Sequence, residues 1–355
     1  MIPIEVQRAA TSKPKPASGS LGFGKYFTDH MFRMDFTLER TWHQARIQPY
    51  GPLGLDPGAA ALHYAQAVFD GCKVFRGQDG KLRAFRLPDH CRRLAASAER
   101  LAMQSVPPEL AREAIEALVR LEADWVPDAP GTSLYVRPVV IASEGFLGVR
   151  PADKYIFFVL LSPVGSYFAG GAEPVSIWVE QHYTRAAHGG LGGAKAAANY
   201  AAGLKASVEA KKRGYAQVLW LDAAEHRYIE EVGTMNLFVR IGDEIITPPL
   251  EDTFLPGITR ESVLTLLRDW GSKVSERKLS IDELREAHRK GELREVFGTG
   301  TAAVISPVGA LGFDEGELKI GDGKVGEMSR RLYDAVTGIQ SGTQPDPHGW
   351  MTLIP

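Results

Sequence analysis

The sequence predicts an α+β chain of two domains, the first smaller than the second. Its 355 residues exceed what a single hydrophobic core usually supports. Strand-like alternation and helical spacing of apolar residues both recur along it, and the run from Ser162 to Pro174 is rich in glycine and proline, as connections between domains are. We therefore expect an N-terminal α/β domain over 1–164, an interdomain loop over 165–174 and a larger C-terminal domain over 175–355.

Composition excludes several classes of protein. Hydrophobic residues make up 44% and charged residues 24%, and the net charge of -2 gives no bias toward nucleic acid or anionic membrane. Cys72 and Cys91 lack metal-ligand spacing and are typical of reduced thiols in a cytoplasmic protein, and no histidine pair suggests a metal site. Residues 1–20 lack the apolar run of a signal peptide, so we expect a loosely ordered leader.

The elements of the first domain follow from local patterns. Leu62, Ala65 and Phe69 share one helical face that ends at Gly71, and a hairpin follows from Cys72. A helix opens at Pro88 and carries Arg92 and Arg93 in its first turns, where the helix dipole disfavours cations. This placement suits an anion nearby, although a solvated arginine is an alternative.

Two strands close the first domain. SLYVRPVVIA alternates as a strand, which places Tyr135 and Arg137 on the same face because side chains two apart point the same way. The apolar run from Tyr155 is typical of a central strand.

The second domain contains the stretch HGGLGGAKAAANY, from His188 to Tyr200, in which glycine and alanine surround Lys195. Such a backbone can approach a flat ligand closely, and the lysine amine is placed to be desolvated and to attack an aldehyde or ketone. A helix follows directly. A mobile glycine loop with an ordinary lysine remains an alternative, whereas a nucleotide loop would need G-K-[ST] and the chain has Ala196 there.

Three further features of the second domain suit polar ligands. Glu230 and Glu231 are consecutive on a strand, so one must point inward and needs a cation or a protonated nitrogen, unless both lie solvated at a turn. The helix that starts at Gly257 to Thr259 exposes backbone N–H groups that suit a phosphate. A glycine and threonine loop, Gly298 to Thr301, offers amides and hydroxyls to an anion.

One small molecule would use all of these groups. Pyridoxal 5'-phosphate has an aldehyde for Lys195, a phenolic oxygen for Tyr200, a ring nitrogen for Glu231 and a phosphate. Arg93, the helix start at Gly257 to Thr259, and Thr301 are the phosphate candidates.

The chain resembles the fold-type IV pyridoxal-phosphate enzymes, which are D-amino-acid aminotransferase-like with a pseudo-barrel C-terminal domain, and among them the branched-chain amino-acid aminotransferases. Eight segments carry the resemblance, in the family's order and approximate spacing: LHYAQAVFDGCKVFRG, SLYVRPVVIA, LLSPVGSYF, GGLGGAKAAANY, EVGTMNLFV, TPPL, LPGITRESV and VFGTGTA.

The resemblance implies a role for each matching residue. Lys195 would be the Schiff-base lysine and catalytic group. The cofactor-binding residues would be Arg93, Lys195, Tyr200, Glu231, Thr234, Ile258, Thr259 and Thr301. The substrate pocket would consist of Phe23, Tyr64, Phe69, Tyr135, Arg137, Tyr167 and Ala302. In the family, Tyr64, Leu147 and Val149 come from the partner subunit, which implies a homodimer.

The implied activity is a ping-pong transamination between L-leucine, L-isoleucine or L-valine and 2-oxoglutarate, with Arg137 binding the distal carboxylate of glutamate. No metal, nucleic acid or membrane partner is expected. Two alternatives stay open: a sister activity on the same scaffold, such as D-amino-acid or amine transamination or aminodeoxychorismate lyase chemistry, and a non-catalytic relative that binds a phosphorylated ligand.

Overall fold

A computed structural model of the chain describes residues 2–165 and 173–355. The described strands are β1 (Glu5–Val6), β2 (His30–Thr37), β3 (Thr41–Pro49), β4 (Ala67–Phe69), β5 (Cys72–Arg76), β6 (Leu82–Phe85), β7 (Ser133–Ala142), β8 (Lys154–Val164), β9 (Val175–Val179), β10 (Gln217–Leu221), β11 (Ile229–Val232), β12 (Met235–Ile241), β13 (Glu244–Thr247), β14 (Lys273–Glu276), β15 (Leu293–Gly300), β16 (Val304–Phe313), β17 (Gly316–Lys319) and β18 (Met351–Ile354). The described α-helices are α1 (Ala60–His63), α2 (Leu87–Arg100), α3 (Pro108–Leu121), α4 (Ala197–Ala202), α5 (Leu204–Lys212), α6 (Ile258–Asp269), α7 (Ile281–Arg289) and α8 (Glu327–Ser341), and single 3-10 turns span Ser18–Ser20 and Ala123–Trp125.

The chain divides into two compact units. The first consists of Met1–Tyr167, Ala194–Ala198 and Gly338–Pro355, and the second of Phe168–Gly193 and Asn199–Thr337. A short segment around Lys195 and the C-terminal segment therefore belong to the first unit. The division predicted from the sequence, at residues 165–174, places both segments in the second domain. Most of that predicted loop, and Tyr167 with it, lies outside the described residues.

The first unit is built on one mixed sheet with helices α2 and α3. The strand order is β1-β3-β2-β8-β7-β5-β6-β18, and β4 also pairs with β7. Alternate residues such as Val74, Val136 and Leu161 enter the hydrophobic core with apolar residues of α2 and α3, among them Leu94 and Leu118. Because side chains alternate along a strand, the residues between them project from the opposite face of the sheet. That second face carries the polar residues described below.

The structure corrects the prediction of a loosely ordered leader. Strand β1 pairs in parallel with β3. The backbone N–H of Ala9 donates to Nε2 of His30 at 2.8 Å, and the N–H of Lys13 donates to the Asp29 carboxylate at 2.8 Å. Both acceptors are buried, so the leader satisfies polar groups that would otherwise lack partners.

The second unit contains a closed ring of six strands. The order β11-β10-β9-β16-β15-β12 returns to its start because β11 also pairs with β12. Strands β13 and β14 extend the sheet beyond β12, and β17 pairs with β16. Leu219, Leu237 and Leu311 are among the buried residues of its core. A mixed α and β chain with a barrel-like second sheet is the fold class that the sequence predicts, and it is confirmed.

Two predicted elements are wrong in extent. The helix expected from Leu62 to Phe69 ends at His63, and β4 follows, because Phe69 is held in register with Val139 of β7. Gly298 and Gly300, expected in a loop, lie in β15 and pair with β16. The hairpin from Cys72 and the strand SLYVRPVVIA are confirmed. Within the described ranges, every helix is too short or too polar to cross a lipid bilayer.

Candidate active site

Lys195 is held in the first unit by its own backbone. Its N–H donates to the hydroxyl of Ser97 on α2 at 3.0 Å, and its carbonyl accepts from the N–H of Phe69 at 3.1 Å. The next residue, Ala196, forms an antiparallel bridge with Val68 of β4. The segment therefore joins the edge of β4 as one more extended piece, and α4 begins two residues later, as predicted.

The amine of Lys195 is desolvated. The residue as a whole is half-buried, but burial of the amine lowers its pKa from the ordinary 10.5 to about 8. The cations Arg93 and Arg137 lower this pKa further, whereas Asp70 and Tyr135 act in the opposite direction. The Nζ atom lies 5.1 Å from the ring centroid of Phe69. These surroundings differ from those of an ordinary lysine on a mobile loop.

Arg93 is part of a buried ionic cluster. Its Nε and Nη2 donate to the two carboxylate oxygens of Asp70 at 2.8 and 2.9 Å, and Nδ1 of His90 lies 2.7 Å from the same carboxylate. Asp70 is fully buried. The alternative of a solvated arginine fails for Arg93, whereas Arg92 is exposed and pairs with Asp89. Sequence reasoning missed Asp70 and His90.

Tyr135 and Arg137 lie on one face of β7, as predicted, with aromatic rings around them. Nη2 of Arg137 donates to the Tyr135 hydroxyl at 3.0 Å, and its guanidinium lies 4.6 Å from the centroid of the Phe69 ring. Phe23 packs edge-on against Tyr135 with centroids 4.9 Å apart. A Cβ at Gly71 would lie 1.8 Å from the Tyr135 hydroxyl, so only glycine leaves room for this tyrosine. Among the described residues, the buried Nε of Arg137 has no hydrogen-bond partner.

In the second unit, both consecutive glutamates are buried, which excludes a solvated turn. Nε of Arg185 lies 3.0 Å from the Glu231 carboxylate, and the Asn236 amide donates to it at 3.3 Å. Burial raises the pKa of Glu230 to about 7, and the neighbouring Glu231 charge adds to the shift. The expectation that only one of the pair is withdrawn from solvent is therefore wrong, because both are covered in the folded chain. Arg185 and Asn236 carry no local pattern that marks them as partners of Glu231.

Polar groups line the start of α6 in the same unit. Gly257 is the N-cap, as predicted, and a Cβ there would lie 1.9 Å from Oδ1 of Asn236. Ile258 and Thr259 follow in the first turn and are buried. Strand register places Thr299 opposite Asn236, and its buried hydroxyl has no hydrogen-bond partner among the described residues.

The remaining predicted site residues lie on several different elements of the chain. Tyr200 lies half-buried in α4. Thr234 is exposed in the turn between β11 and β12, and Thr301 and Ala302 form the turn between β15 and β16. Tyr64 is exposed, and its hydroxyl donates to the Leu147 carbonyl at 2.5 Å. Tyr167 lies outside the described residues.

Each unit, taken by itself, holds groups of the kind that pyridoxal 5'-phosphate needs. The first unit supplies a desolvated amine for an aldehyde and the half-buried guanidinium of Arg93. The second supplies a buried carboxylate for a ring nitrogen, a helix start with no side-chain cap, and the Thr299 hydroxyl, which has no hydrogen-bond partner within the described part of the chain. Among the described side chains, no group of three or more His, Cys, Asp or Glu is placed to hold a metal ion.

Comparison with known proteins identifies the family. The model of amino-transferase class IV matches residues 67–311. The chain is 49% identical over 351 residues to branched-chain-amino-acid aminotransferase 2 of Bacillus subtilis (strain 168), covering 99% of this chain and 97% of that protein. Among solved structures, the Escherichia coli branched-chain amino acid aminotransferase matches with a TM-score of 0.76 and 28% identity, covering 87% of this chain and 97% of that one.

A second solved structure records a ligand. The T.th. branched-chain amino acid aminotransferase, complexed with N-(5'-phosphopyridoxyl)-L-glutamate, matches with a TM-score of 0.74 and 27% identity over 91% of this chain and 98% of that one. Sequence and structure therefore agree, and the chain belongs to the class IV aminotransferase family.

Proposed function

We propose that this chain is a branched-chain amino-acid aminotransferase, which moves the amino group between L-leucine, L-isoleucine or L-valine and 2-oxoglutarate by a ping-pong mechanism with pyridoxal 5'-phosphate. The observation that carries the proposal is the desolvated amine of Lys195, set among Arg93, Phe69 and Arg137. The family and the names of the relatives given above support the same activity.

Each cofactor group has a proposed partner. Lys195 holds the aldehyde, Tyr200 the phenolic oxygen and Glu231 the ring nitrogen, with Thr234 beside the ring. Arg93, Thr301 and the backbone N–H groups of Ile258 and Thr259 hold the phosphate. The chemistry that the bound cofactor supplies is electron withdrawal from the substrate's α carbon, together with temporary storage of the amino group.

The chain's own groups then handle charge and protons. The carboxylate of Glu231 lies 3.0 Å from Nε of Arg185, and in the proposed site this carboxylate stabilises a protonated ring nitrogen. An amine with a pKa of about 8 is substantially unprotonated at weakly alkaline pH, so Nζ of Lys195 can take the proton from the substrate's α carbon as a general base.

The second face of the β7 sheet provides the proposed substrate contacts. Phe23, Phe69 and Tyr135 form aromatic walls, and burying a branched aliphatic side chain against such walls contributes roughly 1.5 to 3 kcal/mol. The buried Nε of Arg137 has no hydrogen-bond partner among residues 2–165 and 173–355, and a carboxylate satisfies such a group well. Tyr167 and Ala302 are included in the proposed substrate contacts on the resemblance alone.

The proposal includes a homodimer. Leu62, Tyr64, Phe146, Leu147 and Val149 are exposed, and the Tyr64 to Leu147 hydrogen bond links two of these segments. Exposed apolar side chains grouped in this way are typical of a surface that a partner covers. The cytoplasmic location is likewise proposed, and the unpaired, buried Cys72 and Cys91 support it.

Attachment of the cofactor to one lysine is the first prediction. The purified chain should be yellow, and after borohydride reduction the peptide that contains Lys195 should carry the cofactor mass, because its amine lies beside the phosphate-binding Arg93. Lys73 is the internal control, since burial also lowers its pKa to about 8. Lys195→Ala should be colourless and inactive with L-leucine, while the exposed-lysine variant Lys278→Ala retains colour and activity.

Cofactor mass on the peptide that contains Lys73, or on no lysine-containing peptide, would contradict the assignment of Lys195 as the attachment site. Faster conversion of the bound cofactor to its amine form by D-alanine or aminodeoxychorismate than by L-leucine would instead favour the sister activities. A colourless wild-type chain that still binds phosphate esters would favour the non-catalytic alternative.

Loss of the Arg137 charge should separate the two half-reactions. Arg137→Gln removes a charged hydrogen-bond donor that only the five-carbon diacid needs, and such a bond contributes about 2 kcal/mol. We expect kcat/KM for 2-oxoglutarate to fall about 30-fold and that for L-leucine to change less than about threefold. Single-turnover kinetics of each half-reaction measure both values, and an equal loss on both substrates would assign Arg137 a structural role only.

Charge on the exposed apolar surface should prevent dimer formation. Val149 is 85% exposed, so Val149→Asp costs the isolated chain little and places a charge where the partner is proposed to bind. Analytical ultracentrifugation should show a dimer for the wild type and a monomer for the variant. The matched control is Val208→Asp on α5, which is 51% exposed and should remain a dimer. A wild-type monomer would refute the proposed assembly.

A further inference from the structure

We propose that Asp70 is a positioning residue, whose buried carboxylate orients the guanidinium of Arg93 toward the phosphate of the cofactor. The inference rests on the proposed function, because it assumes that Arg93 binds that phosphate. It gives a role to Asp70, whose side chain takes no part in the proposed chemistry.

The geometry of the pair is that of a side-on, bidentate ion pair. Nε of Arg93 lies 2.8 Å from one carboxylate oxygen of Asp70, and Nη2 lies 2.9 Å from the other. These two bonds fix both the plane and the rotation of the guanidinium. An arginine held along this edge directs the N–H groups outside that edge away from Asp70.

Asp70 is itself held rigidly. Its N–H donates to the carbonyl of Pro138 on β7 at 2.9 Å, and its carboxylate accepts from the N–H of Gly71 at 2.7 Å. His90, one turn before Arg93 on α2, places Nδ1 2.7 Å from the same carboxylate. Asp70 thus connects the sheet to α2, and a shift of the helix relative to the sheet would break these contacts.

The carboxylate is ionised despite its burial. Burial alone disfavours the charge, but the Arg93 guanidinium and the bonds from Arg93 and His90 outweigh it and hold the pKa of Asp70 well below its ordinary value. A buried ion pair of this kind costs desolvation and is weak evidence for stability, so orientation is the better explanation for its presence.

Comparison of two ligands separates positioning from general stability. Pyridoxal has the aldehyde and ring of the cofactor but no phosphate. Its affinity therefore depends on Lys195 and not on the proposed contact between Arg93 and the phosphate. We measure the dissociation constants of pyridoxal 5'-phosphate and pyridoxal for the cofactor-free full-length chain by absorbance titration, in the wild type, Asp70→Asn, Arg93→Gln and the double variant.

For Asp70→Asn we expect affinity for pyridoxal 5'-phosphate to fall roughly 10- to 100-fold, by analogy with the loss of a group that orients a metal ligand. Affinity for pyridoxal should change less than about threefold. In the Arg93→Gln background, Asp70→Asn should have little further effect, because the two residues act as one unit. The matched control Asp35→Asn likewise removes a carboxylate that is paired with arginine, in this case with Arg33 and Arg46, and should leave both affinities unchanged.

Three outcomes would overturn the inference. Unchanged or tighter binding of pyridoxal 5'-phosphate by Asp70→Asn would show that Asp70 does not aid phosphate binding. An equal loss for both ligands would show a general structural role. If Asp70→Asn does not fold, the same titrations are made with Asp70→Glu, which keeps the charge and moves it by one methylene group. An unchanged ratio of the affinities for pyridoxal 5'-phosphate and pyridoxal in that variant overturns the inference. A wild type that binds neither ligand refutes the proposed function itself, which distinguishes the two failures.

Discussion

The desolvated amine of Lys195 is the constraint on which the proposed activity depends. The difference between a pKa of about 8 and the ordinary 10.5 costs the folded chain roughly 3 kcal/mol at neutral pH. The unfolded chain binds more protons than the folded chain between these two values, so the cost is complete below pH 8 and disappears as the pH rises toward 10.5. Such a cost is typical of a functional group, because only the unprotonated amine is a nucleophile.

The fold places this amine through backbone contacts. Lys195 extends the edge of β4 and bonds to Ser97 of α2, which leaves its side chain near Phe69 and the cations of the first unit. The small residues on both sides make this possible: a Cβ at Gly192 would lie 2.1 Å from the Thr253 carbonyl oxygen. The glycine and alanine composition that marks the segment in the sequence therefore has a steric cause. It lets the backbone pass close to its neighbours.

Local patterns in the sequence predicted the parts of the site that depend on local geometry. Alternation along β7 placed Tyr135 and Arg137 together, and the helix start at Gly257 follows from its glycine and the apolar stripe behind it. Partners distant in sequence were not predictable: Asp70 and Arg93 are 23 residues apart, and no spacing rule connects a β-strand end to a helix. The burial of Glu230 and the hydrogen bonds of the leader likewise depend on tertiary contacts. Phe69 lies in a strand because β4 pairs with β7, which is distant in sequence.

The most direct measurement is the ionisation of Lys195 in the cofactor-free chain. Competitive acetylation between pH 6 and 11, quantified by mass spectrometry of the peptide that contains this residue, follows the fraction of unprotonated amine. Reactivity should rise with a midpoint near pH 8, while the exposed Lys205 in the same sample titrates above its ordinary value because of Glu209. A midpoint for Lys195 near 10.5 would show that its amine is solvated, and the account of this chain as a catalyst built on that amine would be contradicted.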